Sequence, residues 1–188
     1  FNLLMAGYFV CGFQVVFIGV HMPSYLKDNG LSPQVASYAL ALIGLFNVFG
    51  TYIAGTLGQR MPRRFILSFI YLARAVAISV FLLVPLSPLS VYIFSAVMGT
   101  LWLSTVPPTN ATIAQIFGVQ HLSMLGGFVC CSHQLGSFMG VWLGGYLYDA
   151  TGSYDIVWYI AIGLGVLAGL VNLPIKEAPI QRAQPQAA

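Results

Sequence analysis

Six long apolar runs alternate with short polar breaks along the chain. They cover residues 3–26, 35–57, 65–84, 90–117, 122–148 and 156–175. Each is close to or above the roughly 20 mostly apolar residues that a helix needs to cross a bilayer. The breaks are built from turn formers. Lys27, Asp28, Asn29 and Gly30 close the first run, and Ser32 with Pro33 then reads as a helix start, serine as cap and proline in the first turn. Pro85 and Pro88 frame an uncharged turn, residues 118–121 form a brief loop, and residues 149–155 form another. Pro107 and Pro108 interrupt the fourth run from inside. Residues 176–188 are rich in Pro, Gln and Ala and read as a disordered tail. The expected fold is therefore an all-α integral membrane protein, a bundle of six transmembrane helices over residues 1–175.

Composition supports this pattern. The chain of 188 residues is 59% hydrophobic and 6% charged, against about 25% charged in an average soluble domain. Too few charges exist to cover a water-facing surface, so the lipid bilayer is the first partner. Seven basic residues and a net charge of +3 make no basic stripe for nucleic acid. Cys11, Cys130 and Cys131 lie inside apolar runs with no paired spacing, so they read as small apolar residues rather than as metal ligands or a disulfide framework. No nucleotide-binding glycine loop is present. The expectation is a protein with no cofactor, no metal and no enzymatic chemistry. The first run opens at Phe1 without a charged leader or a small-residue cleavage site, so it reads as a span rather than a signal peptide. The whole chain reads as a piece of something longer.

Charge fixes the expected orientation. Arg60, Arg63 and Arg64 share the loop after the second run. Charged loops of this kind stay on the cytoplasmic side. Lys176 and Arg182 then fall on the same side, giving five basic residues inside against Lys27 outside. Both termini are expected in the cytoplasm, with the bundle in a plasma or bacterial inner membrane.

Polar groups inside spans are costly and raise functional hypotheses. Arg74 lies in the third run, and no Asp or Glu lies within any run to pair with it. It can snorkel, bond backbone carbonyls, pair with protein outside this chain or meet an anionic substrate. Gln14 and His21 are seven residues apart and share a helix face. Asn47 sits mid-run in the second. Thr105, Thr109 and Asn110 surround the proline pair, and His133 and Gln134 lie near the middle of the fifth run. Each can be an interhelical hydrogen bond or a ligand contact. Only His21 and His133 among the span residues titrate near neutral pH, so a coupled proton would use one of them or a group elsewhere. Ser132, Gly136, Gly140 and Gly144 recur every four residues, and Gly165 and Gly169 repeat the spacing, as close helix packing requires.

The loop Gly55-Thr56-Leu57-Gly58-Gln59-Arg60-Met61-Pro62-Arg63-Arg64 resembles the loop signature G-x-L-x-D-R-x-G-R-R of the major facilitator superfamily. Gln59 replaces the acid and Pro62 the middle glycine, so the acidic partner of a gating ion pair is missing. The stretch from Gly144 to Gly152 resembles the end of the penultimate helix in that superfamily. The resemblance covers the whole chain and implies the C-terminal half of a twelve-helix transporter, built from two inverted three-helix repeats. It implies a missing N-terminal six-helix half as partner and a small-molecule substrate. It also implies a polar cavity lined by the first, second, fourth and fifth helices, with the third peripheral. The first two runs, from His21 to Gly30 and from Ala41 to Phe49, resemble the monocarboxylate-transporter-like branch. That branch often carries an Asp and, four residues on, an Arg in its second helix; Asn47 and Thr51 stand there instead. The implied function is secondary active transport of a small organic solute, with an organic anion as the leading class. A drug-type exporter of the same fold and a transport-inactive sensor or assembly subunit are the rivals.

Overall fold

The computed structural model describes residues 1–180, and every described regular element is helical. Helix α1 spans Asn2–Asp28, α2 Pro33–Leu57, α3 Arg63–Leu83, α4 Pro88–Leu101 and α5 Val106–Phe117. A 3₁₀ turn, Val119–His121, leads into α6, Leu122–Thr151, and α7 is Asp155–Asn172. Five elements are long and apolar enough to cross a membrane: α1, α2, α3, the 88–117 stretch taken whole, and α7. Helix α6, at 30 residues, is the longest helix; its many glycines, with His133 and Gln134, dilute its apolarity.

Local chemistry sets the ends. Ser87 and Ser90 form a reciprocal capping box at the start of α4, with Ser90 N donating to Ser87 Oγ at 3.2 Å and Ser87 N to Ser90 Oγ at 2.9 Å. Ser32 occupies the N-cap position of α2 ahead of Pro33, but its side chain makes no capping bond. Gly152, at φ +73, closes α6 in the left-handed conformation that glycine adopts without strain. As a result α6 absorbs Asp149 and Thr151, and the expected 149–155 loop shrinks to three residues. Lys27 and Asp28 likewise belong to the last turn of α1 rather than to the turn after it, where a lysine suits the negative helix end. Helix α7 ends at Asn172, short of residue 175, where Pro174 brings no amide to continue the ladder and its ring crowds the carbonyl four residues back.

The main correction concerns the fourth run. It is two helices, α4 and α5, separated at residues 102–105. The proline pair is the cause, yet the break lies before it. A proline ring clashes with the carbonyl four residues back, here those of Leu103 and Ser104. Pro107 and Pro108 then sit in the first turn of α5, where their missing amides cost nothing.

The helices pair in a set order. Helix α1 lies along α6, α2 along α4, and α3 along α7. Counting α4 and α5 as one span, the pairs are first with fifth, second with fourth, and third with sixth. Exchanging the first three spans with the last three maps this set onto itself, as two related three-helix repeats require. The close approaches obey the same exchange. A side chain at Gly12 of α1 would run into the His133 carbonyl of α6, and ones at Gly136 and Gly140 of α6 into the Phe9 and Phe13 carbonyls of α1. Gly50 of α2 faces the Thr100 carbonyl of α4, and Gly99 of α4 faces Ile43 of α2.

Two ends result. At the end away from the arginine loop, Trp158 of α7 is fully buried among Phe17, Tyr25, Phe81 and Phe94, and Phe81 stacks on Phe94 at 4.1 Å. At the arginine end, residues 176–180 have no regular structure but are not a free tail, since Ile180 N donates to Ile116 O at 3.0 Å. Residues 181–188, the rest of the expected disordered tail, lie outside the described residues. Helices α2 and α6 keep broad apolar faces exposed, including Tyr38, Val48, Tyr52, Phe138, Trp142 and Tyr146.

The glycine contacts predict an asymmetry within α6. Gly136→Leu forces α1 and α6 apart and costs about 1–3 kcal/mol, read as a lower Tm of the purified protein. Gly145→Ala, where an added Cβ meets nothing within 4 Å, does not lower Tm. An unaltered Tm in Gly136→Leu would contradict the close approach.

Candidate functional site

Breaking a helix inside an apolar layer frees backbone groups that lipid cannot satisfy. Three neighbouring helices supply the missing partners. From α3, Arg74 donates through Nε and Nη2 to Leu101 O at 3.1 and 2.6 Å, and Nη2 also reaches Trp102 O. From α2, Asn47 Oδ1 accepts the Leu103 amide at 3.0 Å and the Thr51 hydroxyl at 3.3 Å. From α1, Cys11 Sγ lies 3.4 Å from Thr105 Oγ1 and accepts from Arg74 Nη1 at 3.3 Å. The guanidinium thus sits on the negative end of α4, where a cation is favoured.

Arg74 is 0% exposed, so it does not snorkel, and its partners are two carbonyls and a thiol. The Tyr71 ring lies beneath it, 5.5 Å from centroid to guanidinium carbon. His133 of α6 is half-buried beside this group. Its backbone carbonyl lies against Gly12, the neighbour of Cys11, its ring is 5.6 Å from that of Tyr8, and Ser137 Oγ is 3.4 Å from Nδ1. The cluster of Cys11, Asn47, Arg74, Thr105 and His133, with Tyr8 at its edge, draws on all of the first five spans.

Other residues singled out in the sequence lie elsewhere. Gln14 is fully buried and donates to Ala161 O of α7 at 2.8 Å; its Oε1 has no partner among the described residues. His21 bonds Val141 O of α6 through Nε2 at 3.0 Å, so the two residues, although seven apart, turn to different neighbours. Thr109 is buried beyond the break, while Asn110 and Gln134 are exposed. In the arginine loop, Arg63 meets Gln115 and lies 3.8 Å from Glu177, and Arg64 meets Glu177 and Ile175. Arg60 is exposed, and Gly55 lies against Pro107.

Two participants escaped the sequence reading. Cys11 is a polar partner of Arg74 and Thr105, not an apolar filler. Tyr8 was unremarkable in an aromatic-rich chain. Neither carries a local signal; Cys11 gains its role by facing the break and Tyr8 by lying beside His133.

A sequence model described as the Major Facilitator Superfamily matches residues 4–188. The chain belongs to the Major Facilitator Superfamily. It is a multi-pass membrane protein of the transporter type that this superfamily comprises. An uncharacterized MFS-type transporter of Bacillus subtilis, YcxA, is 26% identical over 178 residues, 92% of this chain and 43% of the relative. Monocarboxylate transporter 13 of Rattus norvegicus is 26% identical over 179 residues, 92% of this chain and 40% of the relative. The quinolone resistance protein NorA of Staphylococcus aureus is 24% identical over 185 residues, 92% of this chain and 47% of the relative. The chain spans under half the length of these relatives. Six long helical elements in two sets of three fit one half of a major facilitator fold.

The break makes a stability prediction. Arg74→Met leaves the Leu101 and Trp102 carbonyls unpaired, at about 1–3 kcal/mol for each buried group, and lowers Tm. Asn47→Leu orphans the Leu103 amide and does the same by a smaller amount. Asn110→Ala, at an exposed position, leaves Tm unchanged. Parent-like stability of Arg74→Met would show that the break is held by something else.

Proposed function

We propose that this chain is the C-terminal half of a secondary transporter that moves a small organic solute by alternating access, with organic anions as the favoured class. The observation that carries the reading is the broken fourth span. Transporter sites near the bilayer midplane are typically built around discontinuous helices. Here the break is held by polar groups from three other spans, one of them a buried guanidinium. The branch resembled by α2 would carry a cation there, four residues after Asn47. Arg74 brings one to the same layer from α3, since both residues grip the backbone of residues 101–103. It acts by its field rather than by contact, because it is buried. His133 is a half-buried, titratable member of the cluster and the candidate for substrate contact or a coupled proton.

Likeness to monocarboxylate transporter 13 supports the substrate class, and the basic arginine loop supports a cytoplasmic position for both ends of the segment. The absent N-terminal half would close the cavity against the exposed faces of α2 and α6.

Uptake by the whole transporter in proteoliposomes tests the reading. A labelled monocarboxylate is expected to accumulate under an imposed proton gradient. His133→Ala lowers the rate roughly tenfold, about 1.4 kcal/mol of barrier, while Tm holds. Residues 1–188 alone give no saturable uptake. Quinolone efflux without carboxylate uptake would favour an exporter, in line with NorA, and neither activity would favour a sensor or assembly subunit.

A further inference from the structure

The arginine loop lacks the acid of the pattern it resembles, yet a carboxylate is present. Helix α3 starts at Arg63 with no acidic residue in its first turn. A helix start beside three arginines is a natural anion site. Glu177 fills it. Its Oε1 accepts the Arg64 amide at 2.8 Å, and its Oε2 lies 3.8 Å from Arg63 Nη1. A polar cavity of about 510 Å³ is lined by Gln59, Arg60, Arg63, Arg64, Gln115 and Glu177 among others. Position 59 and Glu177 therefore open onto the same space.

The segment that carries Glu177 also crosses to other helices. Arg64 Nη1 donates to Ile175 O at 3.4 Å, and Ile180 N donates to Ile116 O at 3.0 Å in the last turn of α5. Arg63, held by Glu177, donates to Gln115 of α5 as well. Helix α5 has 12 residues and is separated from α4 by the break. One of its ends is the break and the other lies under this strap.

We propose that Glu177 has taken over the role of the acid missing at Gln59, and that residues 175–180 form a latch fastening the far end of α5 to the start of α3 and the end of α7. An acid inside the loop would brace the loop alone. An acid on the strap couples the loop to α5, so releasing Glu177 frees a half-span rather than a turn. The effect on transport rests on the alternating-access reading; the latch itself does not.

Hydrogen exchange on the whole purified transporter tests it. In Glu177→Gln, amides of residues 109–117 exchange roughly tenfold faster or more, while those of α4 keep their parent rates. Adding Gln59→Asp to Glu177→Gln restores loop order but leaves α5 fast, because the strap is still unfastened. Gln59→Asp alone competes for the arginines and speeds exchange of residues 175–180 and of α5, which keeps the test available if Glu177→Gln fails to fold. Parent-like exchange of α5 in Glu177→Gln, or an equal rise in α4, would overturn the latch. If Glu177→Gln cannot be purified, parent-like exchange in Gln59→Asp would do the same. Uptake measured on the same samples separates the two ideas. Selective loosening of α5 in a protein that transports nothing keeps the latch and removes the transport reading. Transport with α5 unaffected does the reverse.

Discussion

A helix that stops halfway through an apolar layer needs an answer for its last carbonyls, and here the answer is one arginine. The Arg74 fork closes on Leu101 and Trp102 while its third nitrogen reaches Cys11. The same contact solves two problems. It satisfies backbone that lipid would leave bare, and it gives a buried cation the negative end of a helix instead of a carboxylate. Neither group is tolerable alone at that depth. The positions of α1, α2 and α3 around α4 follow from this mutual need, because each must present a polar atom to the same four-residue gap.

Much of the bundle was legible in the sequence because hydrophobicity and glycine spacing are local signals. Six runs correspond to six long helical elements, five of them long and apolar enough to cross a membrane, and the stripe from Ser132 to Gly144 lies against α1 as its spacing implied. The proline pair marked the broken span. Where the break would fall was less legible, since a proline acts on the carbonyl four residues back while its own position stays helical. The cluster was only partly legible. Arg74, Asn47, Thr105 and His133 were visible as polar residues in apolar runs. Gln14 looked the same and faces α7 instead, because helical periodicity gives a face but not the neighbour across from it. Cys11 was invisible, since its chemistry comes from the guanidinium opposite.

The arginine loop shows a similar limit. Read locally, its missing acid is a loss. In three dimensions the charge is conserved in space and displaced by more than a hundred positions in sequence, from 59 to 177. Pattern matching along the chain cannot see that exchange, because the pairing depends on where α7 ends and how Pro174 turns the backbone after it.

The glycine contacts also align the two repeats residue by residue. Gly12 in the first span corresponds to Gly99 in the fourth, each pressed against its partner helix. The gap at 102–105 begins three residues past Gly99, so its counterpart is 15–18 in α1, which is continuous helix there. The two repeats therefore share an outline but not a stiffness. A load applied evenly to this half would bend one repeat and merely tilt the other, so its shape changes would have a preferred side.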